Sequence, residues 1–242
     1  MTTPIPQNEK KRLKVLWQYE VLDTVPEEVF DDLAELAARI CEAPIALISL
    51  VDEKRQWFKS KFGTDVAETS RGISFCTYAI AQPGLFIVSD ATLDERFADN
   101  PLVTSEPKIR FYAGAPLVTP DGYALGTLCV IDKVPRELRL EQKQALRILA
   151  HHVVSQLELR RRSRELGAVR DETARLKGEL EKARAELIAA RRDPARRTAK
   201  PPAAPRHKAK KKVKEPGVGA AGWPRGESSP LTLSWPTRCP IP

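Results

Sequence analysis

The sequence predicts an α/β fold in which helices flank one antiparallel sheet, and three patterns indicate it. Short apolar runs rich in β-branched residues, such as residues 45–51, are typical of buried strands. Two further runs, residues 109–118 and 123–132, are separated by a Pro-Asp-Gly sequence that favours a tight hairpin turn. After Pro135 the pattern is helical without a clear break to about Arg192. The chain is therefore predicted to form a mixed domain followed by one long helix.

Two amphipathic helices are predicted at the start of the chain. Residues 8–20 place Leu13, Leu16 and Trp17 on one stripe of the first helix. Residues 27–41 form the second, because their apolar side chains follow the helical period and predict one buried face. That face contains Val29, Phe30, Leu33, Leu36, Ala37 and Ile40.

The other predicted elements of the domain are short. Strands are predicted over residues 45–51, 57–62 and 85–89, a loop over residues 68–72 and a short helix over residues 75–81. Residues 94–101 are polar and rich in turn formers, and we expect them to lie over the rest of the domain. The hairpin supplies the last two strands. Within it, Gly114 and Gly126 indicate that another backbone segment approaches closely.

From Leu159 onward the helix acquires a seven-residue repeat with apolar residues predominant at the a and d positions. The predicted dimerisation residues are Leu159, Leu166, Val169, Leu176, Leu180 and Leu187. The g positions hold Glu165, Glu172, Glu179 and Glu186, and the e positions hold Arg170, Lys177, Arg184 and Arg191. A parallel pair brings each g glutamate beside an e cation, whereas an antiparallel pair brings like charges together. The pattern predicts a parallel homodimeric coiled coil over residues 159–192, with a solitary solvated helix as the alternative.

The positive charge of the chain is concentrated in its last segment. Residues 193–242 contain 11 Lys and Arg against 3 Asp and Glu, which leaves 29 basic and 29 acidic residues before them. This balance argues against nucleic-acid binding by the folded part. Many prolines and a lysine cluster over residues 208–214 predict a disordered basic tail. The tail is expected either to contact nucleic acid or another anionic surface, or to be simply solvated.

Several classes of site and location are disfavoured. Cys41, Cys76, Cys129 and Cys239 are widely spaced, and the adjacent histidines at 151 and 152 point in different directions on a helix. We therefore predict no metal site, no cofactor and no catalytic residues. No apolar run approaches the roughly 20 residues that span a bilayer, so the protein is not expected to cross a membrane. The cysteine usage is typical of a reduced, cytoplasmic protein.

Most of residues 10–160 resemble GAF domains, the small-molecule sensor modules found at the N-termini of bacterial sensor histidine kinases and diguanylate cyclases. The resemblance rests on residues 19–24, 44–52, 55–60, 74–76, 96–103 and 109–132. It implies a GAF-like sheet flanked by helices, with a cavity between the sheet and its covering segments. Together with the heptad repeat and the basic segment described above, it predicts an N-terminal helix over residues 1–22, a GAF sensor domain over 23–158, the coiled coil over 159–192 and the tail over 193–242.

Seven residues are candidates for binding a small ligand in that cavity. They are Trp57, Phe58, Phe75, Cys76, Arg96, Arg110 and Tyr112. An arginine between aromatic walls suits an anionic or planar ligand. The alternative is that the aromatic rings belong to the core, that Arg110 pairs with Asp90 or Asp94, and that Arg96, Asp99 and Asn100 belong to a helix cap or turn.

The cysteines also allow a redox interpretation. Cys76 lies where a loop meets a predicted helix, a place where a thiolate can be stabilised, whereas Cys129 is expected to pack as a small apolar residue. Thr77 follows Cys76, where the resemblance to chromophore-binding relatives would require histidine, so no bilin is expected.

The function predicted from the sequence is that of a non-enzymatic sensor. It would bind an unidentified small molecule and act through a dimeric coiled coil on an output kinase or cyclase in trans. One alternative is a sensor fragment of a histidine kinase or diguanylate cyclase without its output domain, since no GGDEF or EAL string is present. The other is a thiol-based redox sensor or reductase that uses Cys76.

Overall fold

The computed structural model describes Pro4, Pro6 and residues 8–192, so the predicted basic tail lies outside the described residues. The helices are α1 (Glu9–Gln18), α2 (Glu28–Cys41), α3 (Phe75–Ala79), α4 (Pro101–Thr104) and α5 (Leu140–Arg192). The strands are β1 (Ile45–Val51), β2 (Arg55–Phe62), β3 (Glu68–Ser70), β4 (Phe86–Val88), β5 (Phe111–Val118) and β6 (Ala124–Asp132). A single turn of 3-10 helix, Arg71–Ile73, precedes α3. The described residues up to Glu186 form one compact unit, and residues 187–192 enter the description only as the end of α5.

The strands form one sheet in the order β3-β2-β1-β6-β5-β4, and every neighbouring pair is antiparallel. The predicted α/β fold class, with helices around a central antiparallel sheet and a long helix after it, is confirmed. The prediction of a loop over residues 68–72 is wrong, because residues 68–70 pair with β2 as the edge strand β3. This strand has three residues, which is too short for alternation of apolar and polar side chains to reveal it.

Both faces of the sheet are covered, and they carry different layers. On one face Ala46 and Ile48 of β1 pack with apolar residues of α1, α2 and the first part of α5. On the other face Leu47 and Val51 pack with α3 and the segments around it. We call these the helical face and the covered face. Because successive side chains of a strand point to opposite sides, each strand contributes to both layers.

The predicted buried stripes of α1 and α2 are wrong at three positions. Trp17 is 50 % exposed, and Val29 and Leu36 are also exposed. Alanines instead of the larger residues face the sheet from α2, whose buried residues are Phe30, Ala34, Ala37, Ala38 and Cys41. Small side chains let the helix lie close to β1 and β2, and this rotates the larger residues outward.

Gly114 and Gly126 allow close approach in different ways. A side chain on Gly126 would place its Cβ 1.9 Å from the carbonyl oxygen of Ser49 in β1, so the predicted close backbone approach is confirmed there. A Cβ on Gly114 would lie 2.2 Å from the hydroxyl oxygen of Tyr112. Gly114 therefore makes room for a side chain of its own strand instead of for another backbone segment.

A buried arginine attaches α1 to the sheet. The side chain of Arg12 is 2 % exposed, and its guanidinium donates to the carbonyl oxygen of Val51 at 2.6 Å. Glu9 accepts hydrogen bonds from Arg12 at 2.8 Å and from Arg71 at 2.6 Å. Partial burial raises the pKa of the Glu9 carboxyl, but the hydrogen bonds from the two arginines outweigh it and lower the pKa to about 2.

Replacement of Gly126 by alanine should destabilise the domain strongly, because β1 would have to move away from β6. We expect Gly126→Ala to lower the free energy of unfolding by at least about 2 kcal/mol in urea denaturation. Gly178→Ala is the matched control, since open space surrounds Gly178 on α5 and alanine favours a helix. Equal stability of the two variants would contradict the close approach.

Glu9 should stabilise the fold in a pH-dependent way. Because its pKa in the folded protein lies below the ordinary value of 4.5, its contribution is complete above pH 4.5 and is lost as the pH falls through about 2. We expect Glu9→Gln to lower the free energy of unfolding by about 1–2 kcal/mol at pH 7, after allowance for solvent screening. Urea denaturation across this pH range should show the difference from wild type shrinking toward pH 2. Glu53→Gln, at an exposed carboxyl in the β1–β2 turn, should show no such difference.

Candidate functional site

A cavity of about 300 Å³ opens on the covered face, beside β1, β2 and β6. Its walls are mainly apolar. The lining residues are Ile45, Leu47, Gln56, Phe58, Thr64, Val66, Thr69, Leu102, Glu106, Pro107, Ile109 and Ile131. Alternate residues of the strands form its floor, and the β2–β3 connection and the segment around α4 form its sides. A concave, largely apolar space with a few polar groups is the usual form of a small-molecule site.

The polar side chains of the cavity differ in whether they have hydrogen-bond partners within the protein. Gln56 accepts a hydrogen bond from the hydroxyl of Ser74, and the hydroxyl of Thr64 accepts one from the backbone N–H of Val66 at 3.3 Å. The hydroxyl oxygen of Thr69 is buried and has no hydrogen-bond partner among the described residues. None of the described lining residues carries a positive charge. The cavity lining therefore contains one unpartnered hydroxyl, whose oxygen is closed off from solvent, and no counterion for an anion.

Asn100 fixes the segment that covers the cavity. Its side-chain oxygen accepts a hydrogen bond from the backbone N–H of Leu102 at 2.9 Å and thereby caps α4. A capping role for Asn100 was one of the alternatives predicted from the sequence. Its amide nitrogen donates to the carbonyl oxygen of Ile73 at 3.0 Å. One side chain thus holds α4 against the turn that leads into α3.

Of the seven candidate binding residues, Phe58 alone lines this cavity. Trp57 packs in the layer on the helical face. Its two neighbours in β2, Gln56 and Phe58, line the cavity on the covered face. Adjacent residues of a strand point to opposite faces, so Trp57 and Phe58 do not share a site.

Phe75 and Tyr112 belong to an aromatic cluster beside the cavity. The ring of Phe75 stacks on Phe97 at 4.0 Å between centroids and on Tyr112 at 5.2 Å. Phe86 contacts both Phe97 and Tyr112. These rings fill the space between the sheet and α3 by packing on one another. Phe97 was missed in the sequence because it stands alone in a polar segment.

The two candidate arginines lie at the edge of this cluster. Arg96 pairs with Asp94, and its guanidinium lies 4.9 Å from the centroid of the Phe86 ring. Arg110 donates to the carbonyl oxygens of Val103 at 3.0 Å and Ile109 at 3.1 Å. Arg96 therefore covers the aromatic cluster from outside, and Arg110 joins α4 to the segment that follows it.

Cys76 lies among several polar side chains in the layer on the covered face. Its sulfur is 4.0 Å from the sulfur of Cys129 and accepts hydrogen bonds from the hydroxyls of Thr127 at 3.1 Å and Tyr112 at 3.3 Å. Burial raises the pKa of the Cys76 thiol, but the hydrogen bonds from Cys129, Thr127 and Tyr112 outweigh it and lower the pKa to about 6. The pKa of Cys129 is raised, first by its hydrogen bond to Cys76 and then by burial.

The first part of α5 is attached to the helical face by apolar and polar contacts. Its buried residues include Leu146, Leu149, Ala150, Val153 and Leu157. Arg160 donates to Glu27 at 2.9 Å, and Glu27 also accepts a hydrogen bond at 2.6 Å from Lys59, whose side chain is fully buried. The hydroxyl of Tyr19 donates to Glu158. Strand β2, helix α2 and helix α5 therefore meet at one carboxylate.

The comparison with protein families identifies the family of this chain. The family model described as GAF domain matches residues 25–157, which is more than half of the 242 residues. The chain belongs to the GAF domain family.

Individual relatives extend this comparison. A protein of Pseudomonas aeruginosa, named as a cyclic di-GMP phosphodiesterase, is 48 % identical over 145 residues, which cover 60 % of this chain and 25 % of that protein. The chain thus spans about a quarter of the length of this relative. The GAF domain of an Acinetobacter phosphoenolpyruvate-protein phosphotransferase is 18 % identical with a TM-score of 0.46, over 64 % of this chain and 95 % of that one. A free methionine-R-sulfoxide reductase of Neisseria meningitidis is 20 % identical with a TM-score of 0.45, over 67 % and 98 %.

Two further observations concern the described residues only. No helix among them combines the length and the apolar character that crossing a bilayer requires. Their His, Cys, Asp and Glu side chains form no group of three or more that could hold a metal ion.

Proposed function

We propose that this chain is a sensor that binds an uncharged, largely apolar small molecule in the cavity beside Phe58. The observation that carries the proposal is the cavity of about 300 Å³ with its apolar walls. Burial of apolar ligand surface against such walls favours binding by about 25 cal/mol per Å². Rotation of the Thr69 side chain would turn its unpartnered hydroxyl toward the ligand and add a single polar contact that orients it.

The charges around the cavity select against anionic ligands. Glu106 is the charged residue in its lining, and its side chain is largely exposed. Lys108 and Lys133 lie 3.9 Å and 3.6 Å from its carboxylate, but neither lines the cavity. A phosphate or carboxylate in this space would lose its hydration without gaining a cation, and this costs several kcal/mol. Arg96 and Arg110 do not supply that cation, because both are engaged outside the lining. This proposal therefore does not include the anionic ligand that an arginine between aromatic walls would have suited.

The sensor is proposed to relay ligand binding through a parallel dimer of α5. The side chains of the six predicted dimerisation residues are all exposed in the single chain. Around Leu159 the residues that contact the domain occupy b, c, f and g positions of the repeat, and none of them is an a or d residue. They are Leu157, Glu158, Arg160, Arg161 and Arg164. The helix can therefore keep its contacts with the domain while its a and d positions meet a second copy. The g glutamates and e cations support the parallel arrangement.

The proposed output is a signalling enzyme, either a separate partner or a further part of a longer protein. The Pseudomonas relative carries the name of a cyclic di-GMP phosphodiesterase and is much longer than the matched segment. A phosphodiesterase therefore joins the kinase and the cyclase as a candidate output. We assign no catalytic role to this domain and place its action in the cytoplasm. A reductase that uses Cys76 is not favoured, because that sulfur does not line the cavity.

Indole is a suitable probe for the cavity, since it is uncharged, largely apolar and carries one N–H donor. We expect calorimetric titration to show binding, and Thr69→Val to weaken it about three- to tenfold because one hydrogen bond is lost. Thr64→Val is the matched control, since that hydroxyl already accepts a hydrogen bond within the protein. Binding of cyclic di-GMP in the cavity, or an absence of indole binding at millimolar concentration, would contradict the proposed ligand class.

The parallel dimer can be tested by cysteine cross-linking on α5. Ala183 occupies a d position and Ala185 an f position, and both are on the described helix. Under mild oxidation, Ala183→Cys should form a covalent dimer because equal d positions meet in a parallel coiled coil. Ala185→Cys should remain uncross-linked, since f positions face outward. Equal cross-linking of both variants, or a monomeric mass in light scattering at high concentration, would contradict the dimer.

A further inference from the structure

Two cysteines and three hydroxyl-bearing residues lie close together on the covered face, outside the cavity. We call this group the cysteine cluster, and its members are Cys76 of α3, Tyr112 of β5, Ser49 of β1, and Thr127 and Cys129 of β6. All five residues are buried. The function proposed above uses none of their polar atoms.

The hydroxyl groups of the cluster converge on one sulfur. Thr127 and Tyr112 both donate to Cys76, although burial of a hydroxyl in an apolar layer carries a cost. Ser49 is directly opposite Thr127 in the β1–β6 pair, and its hydroxyl has no hydrogen-bond partner within the part of the chain that the structure describes. A cysteine that only fills space needs no such surroundings, whereas a thiolate needs hydrogen-bond donors.

The backbone is also adapted to this arrangement. Gly114 is the residue opposite Cys129 in the β5–β6 pair. Any side chain there would collide with the Tyr112 hydroxyl, which donates to Cys76. The glycine therefore keeps the tyrosine hydroxyl within reach of the sulfur.

The distance between the two sulfurs suits a dithiol that can be oxidised. They are 4.0 Å apart, and an S–S bond of about 2.05 Å requires them to approach by about 2 Å. Cys76 is on a five-residue helix that is followed by an exposed turn over residues 81–84. A short helix beside a surface turn can open and shift more readily than a central strand.

We propose that Cys76 and Cys129 are a hydroperoxide-responsive dithiol that closes to a disulfide between α3 and β6. The Cys76 thiolate attacks one peroxide oxygen, so that an S–O bond forms, the O–O bond breaks and the departing hydroxide takes the thiol proton to become water. The Cys129 sulfur then attacks the resulting sulfenic acid. The S–S bond forms, the S–O bond breaks, and the second hydroxide leaves as water with the Cys129 proton. Two thiols lose two electrons in total, and the peroxide is reduced to two waters.

The roles of the cluster residues follow from their positions. Cys76 is the attacking thiol, because the hydroxyls of Thr127 and Tyr112 stabilise its thiolate and its pKa is lowered. Cys129 is the resolving thiol, since its pKa is raised and its sulfur lies 4.0 Å from that of Cys76. Thr127 and Tyr112 are positioning residues that act through the Cys76 sulfur.

The test uses the full chain with Cys41→Ser and Cys239→Ser, which leaves only the two cysteines of the cluster. After hydrogen peroxide treatment and alkylation of free thiols, we expect the intact mass to show the loss of two hydrogens and no alkylation. Dithiothreitol should restore both thiols. With Cys129→Ser added, dimedone should label Cys76 as a sulfenic acid. An alkylated, reduced pair after prolonged peroxide exposure of the folded protein would overturn the proposal.

Two variants separate chemistry from packing. Thr127→Val and Tyr112→Phe keep the shape of the cluster and remove one donor each, so oxidation of the folded protein should become roughly tenfold slower. Circular dichroism checks that they are folded. Oxidation that is as fast in these variants as in the parent, or that occurs only at the rate of global unfolding, would overturn the role of the cluster. Indole binding is measured separately, so failure here leaves the cavity proposal unaffected.

Discussion

The pairing of β1 with β6 at the centre of the sheet is the constraint on which the other features depend. Gly126 permits it, because no other residue fits against the Ser49 carbonyl. The register that follows places Leu47 opposite Cys129, so both point to the covered face. A slip of one residue would exchange the two faces and remove the cavity floor and the cysteine cluster together. The cavity and the cysteine cluster therefore depend on the same strand register.

The helical face of the sheet is the surface on which the first part of α5 packs. Lys59 is fully buried in β2, and its charge is compensated by Glu27 at the start of α2. Arg160 of α5 shares that carboxylate. A buried cation that lost this partner would be strongly destabilising, so the three elements are held in a defined arrangement. The strand β6, which lines the cavity, is followed by α5 in the chain, and this gives the proposed signal a short route from ligand to dimer.

The sequence predicted the elements better than the site, and particular residues show why. The hairpin turn, the strand runs and the long helix are local patterns, and each was found close to its predicted position. Trp57 and Phe58 were both proposed to line a pocket, although neighbours on a strand face opposite sides. Phe97 and Thr69 carried no periodic signal and were missed, because one is alone in a polar segment and the other is on a three-residue strand. The stripe of α2 was wrong at Val29 and Leu36 because close packing against the sheet selected its alanines.

The sequence by itself determined the longer strands and helices and their order along the chain, the hairpin, the seven-residue repeat over residues 159–192 and the charges at its e and g positions. These features depend on interactions between residues that are near in the chain, and their periods can be read directly. Only the tertiary structure decided which face each strand residue occupies, where a cavity remains, and that Cys76 lies 4.0 Å from Cys129 across 53 positions of the chain. Such contacts depend on strand register and on how closely the layers pack, and no local pattern encodes either of them.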